Sequence, residues 1–164
     1  MRILFVCTGN VFRSMTAELV LKQYIADKES NWNVASAGTV AKPQNIHPQT
    51  KKTLTYLGIR TDEHQQTKLT KEHLKQADIV ISMSTDHKEC IQNEFASNTI
   101  LFNKIVRNQD TPLLDNWEAV TDYKTNKIAD DAYVKQVVLY IYQHIPLLYT
   151  YIHTNYISTG HARK

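Results

Sequence analysis

At 164 residues with 42% apolar content, the chain is long enough for one ordinary hydrophobic core and too apolar for a disordered or collagen-like polymer. Its net charge of +3 comes with basic residues scattered along the chain, which leaves no electrostatic footprint of a nucleic-acid binder. No apolar run approaches the roughly 20 residues that span a bilayer, and Met1 to Val6 lacks a signal-peptide pattern, so a cytoplasmic protein without a membrane partner is expected.

The elements follow in chain order. Ile3 to Val6 is a short continuous apolar run, suited to a strand buried on both faces of a parallel sheet. It stops at Cys7-Thr8-Gly9-Asn10, after which Ser14 is the expected N-cap of a helix carrying Ala17, Val20, Leu21 and Tyr24 on one face. Trp32 to Ala37 reads as a second strand closed by Gly38. Pro48 opens a helix that bears Leu54 and Leu57 and stops at Gly58. Asp78 to Met83 is a third strand, Ser84 to Asp86 caps a helix through Cys90, and Asn98 to Phe102 is a fourth, shorter strand. Residues 103–127 are expected to form a long functional loop. A last helix is expected from Asp130, with Val134, Val137, Val138 and Ile141 at helical spacing, kinked or ended by Pro146 and followed by a further helical segment over Leu147 to Ile157. This alternation implies an α/β fold: a three-layer, doubly wound, four-stranded parallel sheet with helices on both faces and ligands at the strand C-terminal ends. One domain over 1–157 and a polar C-terminal tail over 158–164 are expected.

The chemistry is concentrated in Cys7-Thr8-Gly9-Asn10-Val11-Phe12-Arg13-Ser14, where cysteine and arginine bracket five residues between a strand and a helix. A loop wrapping a helix N-terminus turns its backbone N–H groups inward, and these add to the helix dipole to hold a phosphate dianion. That field favours thiolate over thiol at Cys7, making it a nucleophile. Arg13 offers a planar fork that matches two phosphate oxygens, a geometry lysine lacks. Ser14 can hydrogen-bond the sulfur as it departs, and Asn10 tolerates the left-handed backbone a tight loop needs. The cysteines, Cys7 and Cys90, allow no disulfide framework. Seven histidines without metal-ligand spacing argue for no metal and no other cofactor.

The opening Ile-Leu-Phe-Val-Cys-Thr-Gly-Asn-x-x-Arg-Ser with Ala17-Glu18 resembles the low-molecular-weight protein tyrosine phosphatase family. Ser36-Ala37-Gly38-Thr39, Pro48, Leu57-Gly58-Ile59, His64, Leu69-Thr70, Ala77-Asp78 and Met83 continue the match in order to about residue 85. The resemblance implies metal-free hydrolysis of a phosphotyrosine-containing protein substrate, with a tyrosine kinase as regulatory counterpart. It implies substrate contacts from Thr8, Gly9, Asn10, Val11, Phe12 and Ser14, and support of the loop by Ser36 and His64. The family's general acid is an aspartate in an Asp-Pro-aromatic loop before the last helix. Asp122 is the expected equivalent, with Tyr123 where proline would stand and itself the aromatic wall; Asp115 is the rival, and Asp130 and Asp131 read as helix caps. Gln44 and Asn45, with nearby lysines, are expected at the cleft rim. Phe12 stands where many relatives carry a second cysteine, so an internal disulfide to Cys7 at that position is ruled out. Two other readings share the resemblance: a thiol-dependent arsenate reductase, for which Cys90 alone could assist, and a catalytically impaired phosphotyrosine-binding protein.

Overall fold

Alternation along the first strand organises the molecule. In β1 (Arg2–Cys7) the side chains of Ile3, Phe5 and Cys7 enter the larger core, while Leu4 and Val6 enter a smaller one on the opposite face. This is the two-residue period of a strand covered on both sides. β1 pairs in parallel with β2 (Asn33–Gly38) and β3 (Ile79–Ser82), and β3 with β4 (Ile100–Leu101), in the order β2-β1-β3-β4. The structure is a computed structural model that describes residues 1–28 and 30–157; the expected tail at 158–164 lies outside the described residues.

The larger core is roofed by α1 (Arg13–Ile25), α2 (Pro48–Tyr56), α5 (Phe102–Arg107) and α7 (Lys127–Ile152). The smaller is closed by α3 (Lys71–Gln76) through Leu74 and by α4 (Thr85–Phe95) through Ile91. The three-layer, four-stranded parallel architecture is therefore the one the strand–helix alternation implies. A short helix, α6 (Asn116–Ala119), lies between α5 and α7. No helix among the described residues is long and apolar enough to cross a membrane.

Four local expectations are corrected. Ser14 is not a cap: α1 begins at Arg13, its N-cap is Phe12, and no side chain caps it. The Ser14 hydroxyl instead meets Cys7 Sγ, Asn10 Nδ2 and Ala37 O. Residues 103–127 are not one loop, because Phe102, Ile105 and Val106 bury on the larger core and pull that stretch into α5. Asp130 and Asp131 do not cap α7, whose N-cap is Asn126 accepting from the Ala129 amide. Pro146 neither ends nor divides α7: it sits on the exposed side, where water can serve the carbonyl it leaves unpaired. Ile145, Leu148 and Ile152 on the other side are fully buried. Each contributes about 1.5–3 kcal/mol, together more than the roughly 3 kcal/mol a helical proline costs. The chain then leaves α7 through a π-helical turn at His153–Ile157.

Candidate active site

The C-terminal end of β1 delivers Cys7 to the foot of α1, and the segment between them is fixed from outside. Cys7 O accepts from Thr39 N at 2.9 Å, Thr8 O from Val40 N at 3.0 Å, Gly9 O from Gln66 Nε2 at 2.6 Å and Asn10 O from His64 Nε2 at 2.7 Å. In a trans peptide the N–H points opposite to the C=O, so four carbonyls held outward turn the amides of Thr8, Gly9, Asn10 and Val11 inward. The Asn10 amide indeed lies 3.3 Å from Cys7 Sγ. Gly38 is required here, since a Cβ on it would stand 2.5 Å from Thr8 O and 3.0 Å from Asn10 N.

Asn10 takes the left-handed backbone (φ 57°) and is fully buried. Its Oδ1 accepts from Thr67 N at 2.7 Å, which fixes the amide orientation so that Nδ2 donates to Ser36 Oγ at 2.6 Å and Ser14 Oγ at 3.1 Å. Ser14 Oγ accepts from Asn10 and lies 2.9 Å from Cys7 Sγ, with Ala37 O a longer alternative acceptor for its proton at 3.5 Å. Ser36 in turn donates to Glu18, whose other oxygen pairs with Lys22. One chain of hydrogen bonds thus runs from the surface to the thiol. His64 and Ser36, expected as loop supports, are both in it; Glu18, Gln66 and Thr67 were not singled out as supports, because only their approach from distant segments gives them that role.

Arg13 is 1% exposed, and a buried guanidinium must be paired. It donates to Leu113 O at 2.7 Å, to Thr8 Oγ1 at 3.2 Å and to the Asp115 carboxylate, with Glu118 at 3.9 Å. Its Nε is buried without a partner among the described residues. Thr8 Oγ1 also meets His87 Nε2 at 2.9 Å. Burial, and then the positive charge of Arg13, push the His87 pKa down to about 4, so the ring beside Thr8 is neutral. His87 lies seventy-nine positions from Thr8 and carried no signal in the sequence.

Around this floor opens a cleft of about 590 Å³. Cys7, Thr8, Gly9, Val11 and Phe12 line it, with Val40, Gln44, Asn45, Ile46 and His47 on one side and Asp115, Asn116, Trp117 and Tyr123 on the other. Gln44 and Asn45 hold the expected rim; Lys42 is not among the lining residues. Phe12 also packs into the larger core beside Cys7. Asp115, by contrast, lines the cleft and reaches Arg13, whereas Asp122 is exposed, outside the cleft lining, with its carboxylate on Asn126 Nδ2 at 3.0 Å. The signal for Asp115 was present in Asp115-Asn116-Trp117, which keeps the aspartate and the aromatic and replaces only the proline. Among the described residues the one cluster with metal-ligand potential is His47, Asp130 and Asp131.

Known proteins resemble this chain in sequence over about half its length and in fold over most of it. It is 40% identical over 97 residues to a protein-arginine-phosphatase of Bacillus subtilis, covering 58% of this chain and 63% of that one. It is 36% identical over 81 residues to an arsenate reductase of Halalkalibacterium halodurans, covering 49% and 55%. The matches thus span less than two thirds of those curated relatives. A solved structure of the YwlE arginine phosphatase with a phosphorylated active-site serine superposes with a TM-score of 0.79 at 26% identity, covering 94% of this chain and 97% of that one. The model for low molecular weight phosphotyrosine protein phosphatases matches residues 2–134, from the first strand into the last helix, and the chain belongs to that family.

Proposed function

We propose that this protein hydrolyses phosphotyrosine in protein substrates, and aryl phosphate monoesters generally, through a cysteinyl-phosphate intermediate. The observation that carries the reading is the meeting of a thiol, an inward-turned amide loop, a buried guanidinium and a carboxylate in one cleft. The ester dianion replaces the Asp115 carboxylate on Arg13, whose unpartnered Nε is a donor suited to a phosphate oxygen. Released from Arg13, Asp115 takes up a proton from solvent; Cys7 then attacks phosphorus in line, the S–P bond forms and the P–O bond breaks, and Asp115 passes that proton to the departing phenolic oxygen. Water then attacks phosphorus and yields its proton to Asp115 while the S–P bond breaks, and the Ser14 hydroxyl donates to the released thiolate. Inorganic phosphate and free enzyme result.

Asp115 takes the acid role in this proposal in place of Asp122, because a proton donor must reach the leaving oxygen and Asp122 faces solvent on Asn126. Trp117, half exposed at the cleft mouth, and Tyr123 then form the aromatic wall. An aryl ester fits that mouth. A phosphorylated guanidinium, the substrate class named for the arginine-phosphatase relatives, would need acceptors; the one carboxylate among the lining residues is Asp115, already assigned as acid, and the side-chain amides of Gln44, Asn45 and Asn116 are neutral acceptors only. Comparing kcat/KM for phosphotyrosine and phosphoarginine peptides tests the choice; a preference for phosphoarginine overturns it.

Likeness to arsenate reductases raises a second reading, in which an arsenate adduct on Cys7 is resolved by other thiols. The remaining cysteine, Cys90, sits half-buried on α4 in neither core, and desolvation and then Glu94 push its thiol up, away from the reactive thiolate. Arsenate turnover with an added thiol, assayed beside p-nitrophenyl phosphate hydrolysis, separates the two. A cytoplasmic site of action and a tyrosine kinase as counterpart remain part of the proposal.

A further inference from the structure

Where the family motif has proline after the acid, this chain has Asn116, and its side chain is anchored. Asn116 Nδ2 donates to Asp130 Oδ1 at 2.6 Å. Asp130 is 1% exposed on the first turn of α7 and is not among the residues lining the cleft. Its other oxygen accepts from His47 Nε2 at 3.0 Å and from Lys127 Nζ at 3.1 Å. His47 is the N-cap of α2 on the opposite cleft wall, and because its Nδ1 accepts from the Gln49 amide at 3.2 Å, Nε2 must carry the proton. Burial raises the Asp130 pKa, but the hydrogen bonds from Asn116, His47 and Lys127 outweigh it and hold the carboxyl below the usual range. The Lys127 ammonium already supplies the positive charge that His47, Asp130 and Asp131 would otherwise draw from a bound cation.

We infer that Asp130 is a positioning residue: it clamps the acid loop through Asn116 and the facing wall through His47, replacing by a buried hydrogen bond the stiffness that proline gives the family motif. The inference rests on Asp115 as the general acid. A loop whose four-residue helix buries none of its side chains relies on side-chain ties to fix the carboxylate against the leaving oxygen, and the Asn116–Asp130 bond anchors it to a buried residue. Displacement by even 1 Å costs on the order of 100-fold in rate. The backbone retains the shape that proline requires. Asp115, at φ −76° and ψ 163°, is in the region favoured before proline, and Asn116 is the first residue of α6, where proline is accepted.

The test is the leaving-group dependence of kcat/KM, which reports formation of the phosphoenzyme. Asp130→Ala and Asn116→Ala should each lower kcat/KM for phenyl phosphate about 10- to 100-fold. Dinitrophenyl phosphate, whose leaving group departs without a proton, should change by no more than about 2-fold. Adding Asn116→Pro to Asp130→Ala should recover most of the lost phenyl phosphate activity. Equal losses on both esters, no loss on either, or no recovery with proline overturns the clamp. Asn116→Ala keeps the buried carboxylate paired with His47 and Lys127, so it serves if Asp130→Ala does not fold. Asp115→Asn run alongside separates the two ideas: if it leaves the ester ratio unchanged, the acid assignment is wrong, and if it alone shifts the ratio, only the clamp is wrong.

Discussion

The two halves of the cleft are built in opposite ways. The phosphate loop is one contiguous stretch whose first four carbonyls, Cys7 to Asn10, are each held by a donor from another segment, and Asn10, Arg13 and Ser14 within it are almost fully buried. The acid loop is a short excursion whose helix α6 buries nothing. Its ties are the capping box of Asp115 and Glu118, the bond from Tyr133 Oη to Leu114 O at 2.9 Å, and the side-chain contacts of Asp115 and Asn116. In the proposed mechanism, binding is therefore preorganised by backbone, while proton delivery depends on a few side chains. Substitutions in the first should act all or none, and those in the second should act by degrees.

The largest effects test the rigid half. Cys7→Ser should abolish turnover and retain phosphate or vanadate affinity. Gly38→Ala should lose both, because the new Cβ meets backbone atoms of the loop that cannot swing aside; a variant that still binds vanadate normally would show the loop to be more pliant than described. Next comes the acid. Asp115→Asn should lower kcat/KM for aryl esters about 100- to 10,000-fold and Asp122→Asn by no more than about 2-fold; the reverse result would return the role to Asp122.

A smaller effect should appear as stability. His87 has a folded pKa of about 4 against 6.5 when unfolded, so the unfolded chain binds the extra proton between those values. Stability is full above pH 6.5 and falls as pH drops toward 4, by about 3 kcal/mol from this residue. Denaturant titrations across that window should show the slope flatten in His87→Gln, and an unchanged slope would mean that the ring is not buried neutral. Smallest of all, peroxide-inactivated protein should show no internal disulfide by mass spectrometry, since Phe12 fills the position of a neighbouring thiol.

Local pattern made much of this legible. The buried strand Ile3–Val6, the turn after it, the proline opening α2 and the glycine closing it all act over a few residues, and each was readable from residue type and spacing. Where burial competes with local preference, burial wins. Pro146 reads as a stop or kink in sequence, but the apolar face on both sides of it is continuous, and residues 103–107 read as loop, but their apolar side chains meet the sheet.

The sequence alone determined the parallel α/β architecture and the loop after β1 bracketed by Cys7 and Arg13, because strand period, capping and tight turns are properties of neighbouring residues. Tertiary structure alone decided which carboxylate faces the cleft, that His87 steadies Thr8, and that Asp130 joins the two walls. Those contacts join positions fourteen to about a hundred apart. Such pairings arise only when the sheet and α7 bring distant backbone together, so no window of sequence contains them.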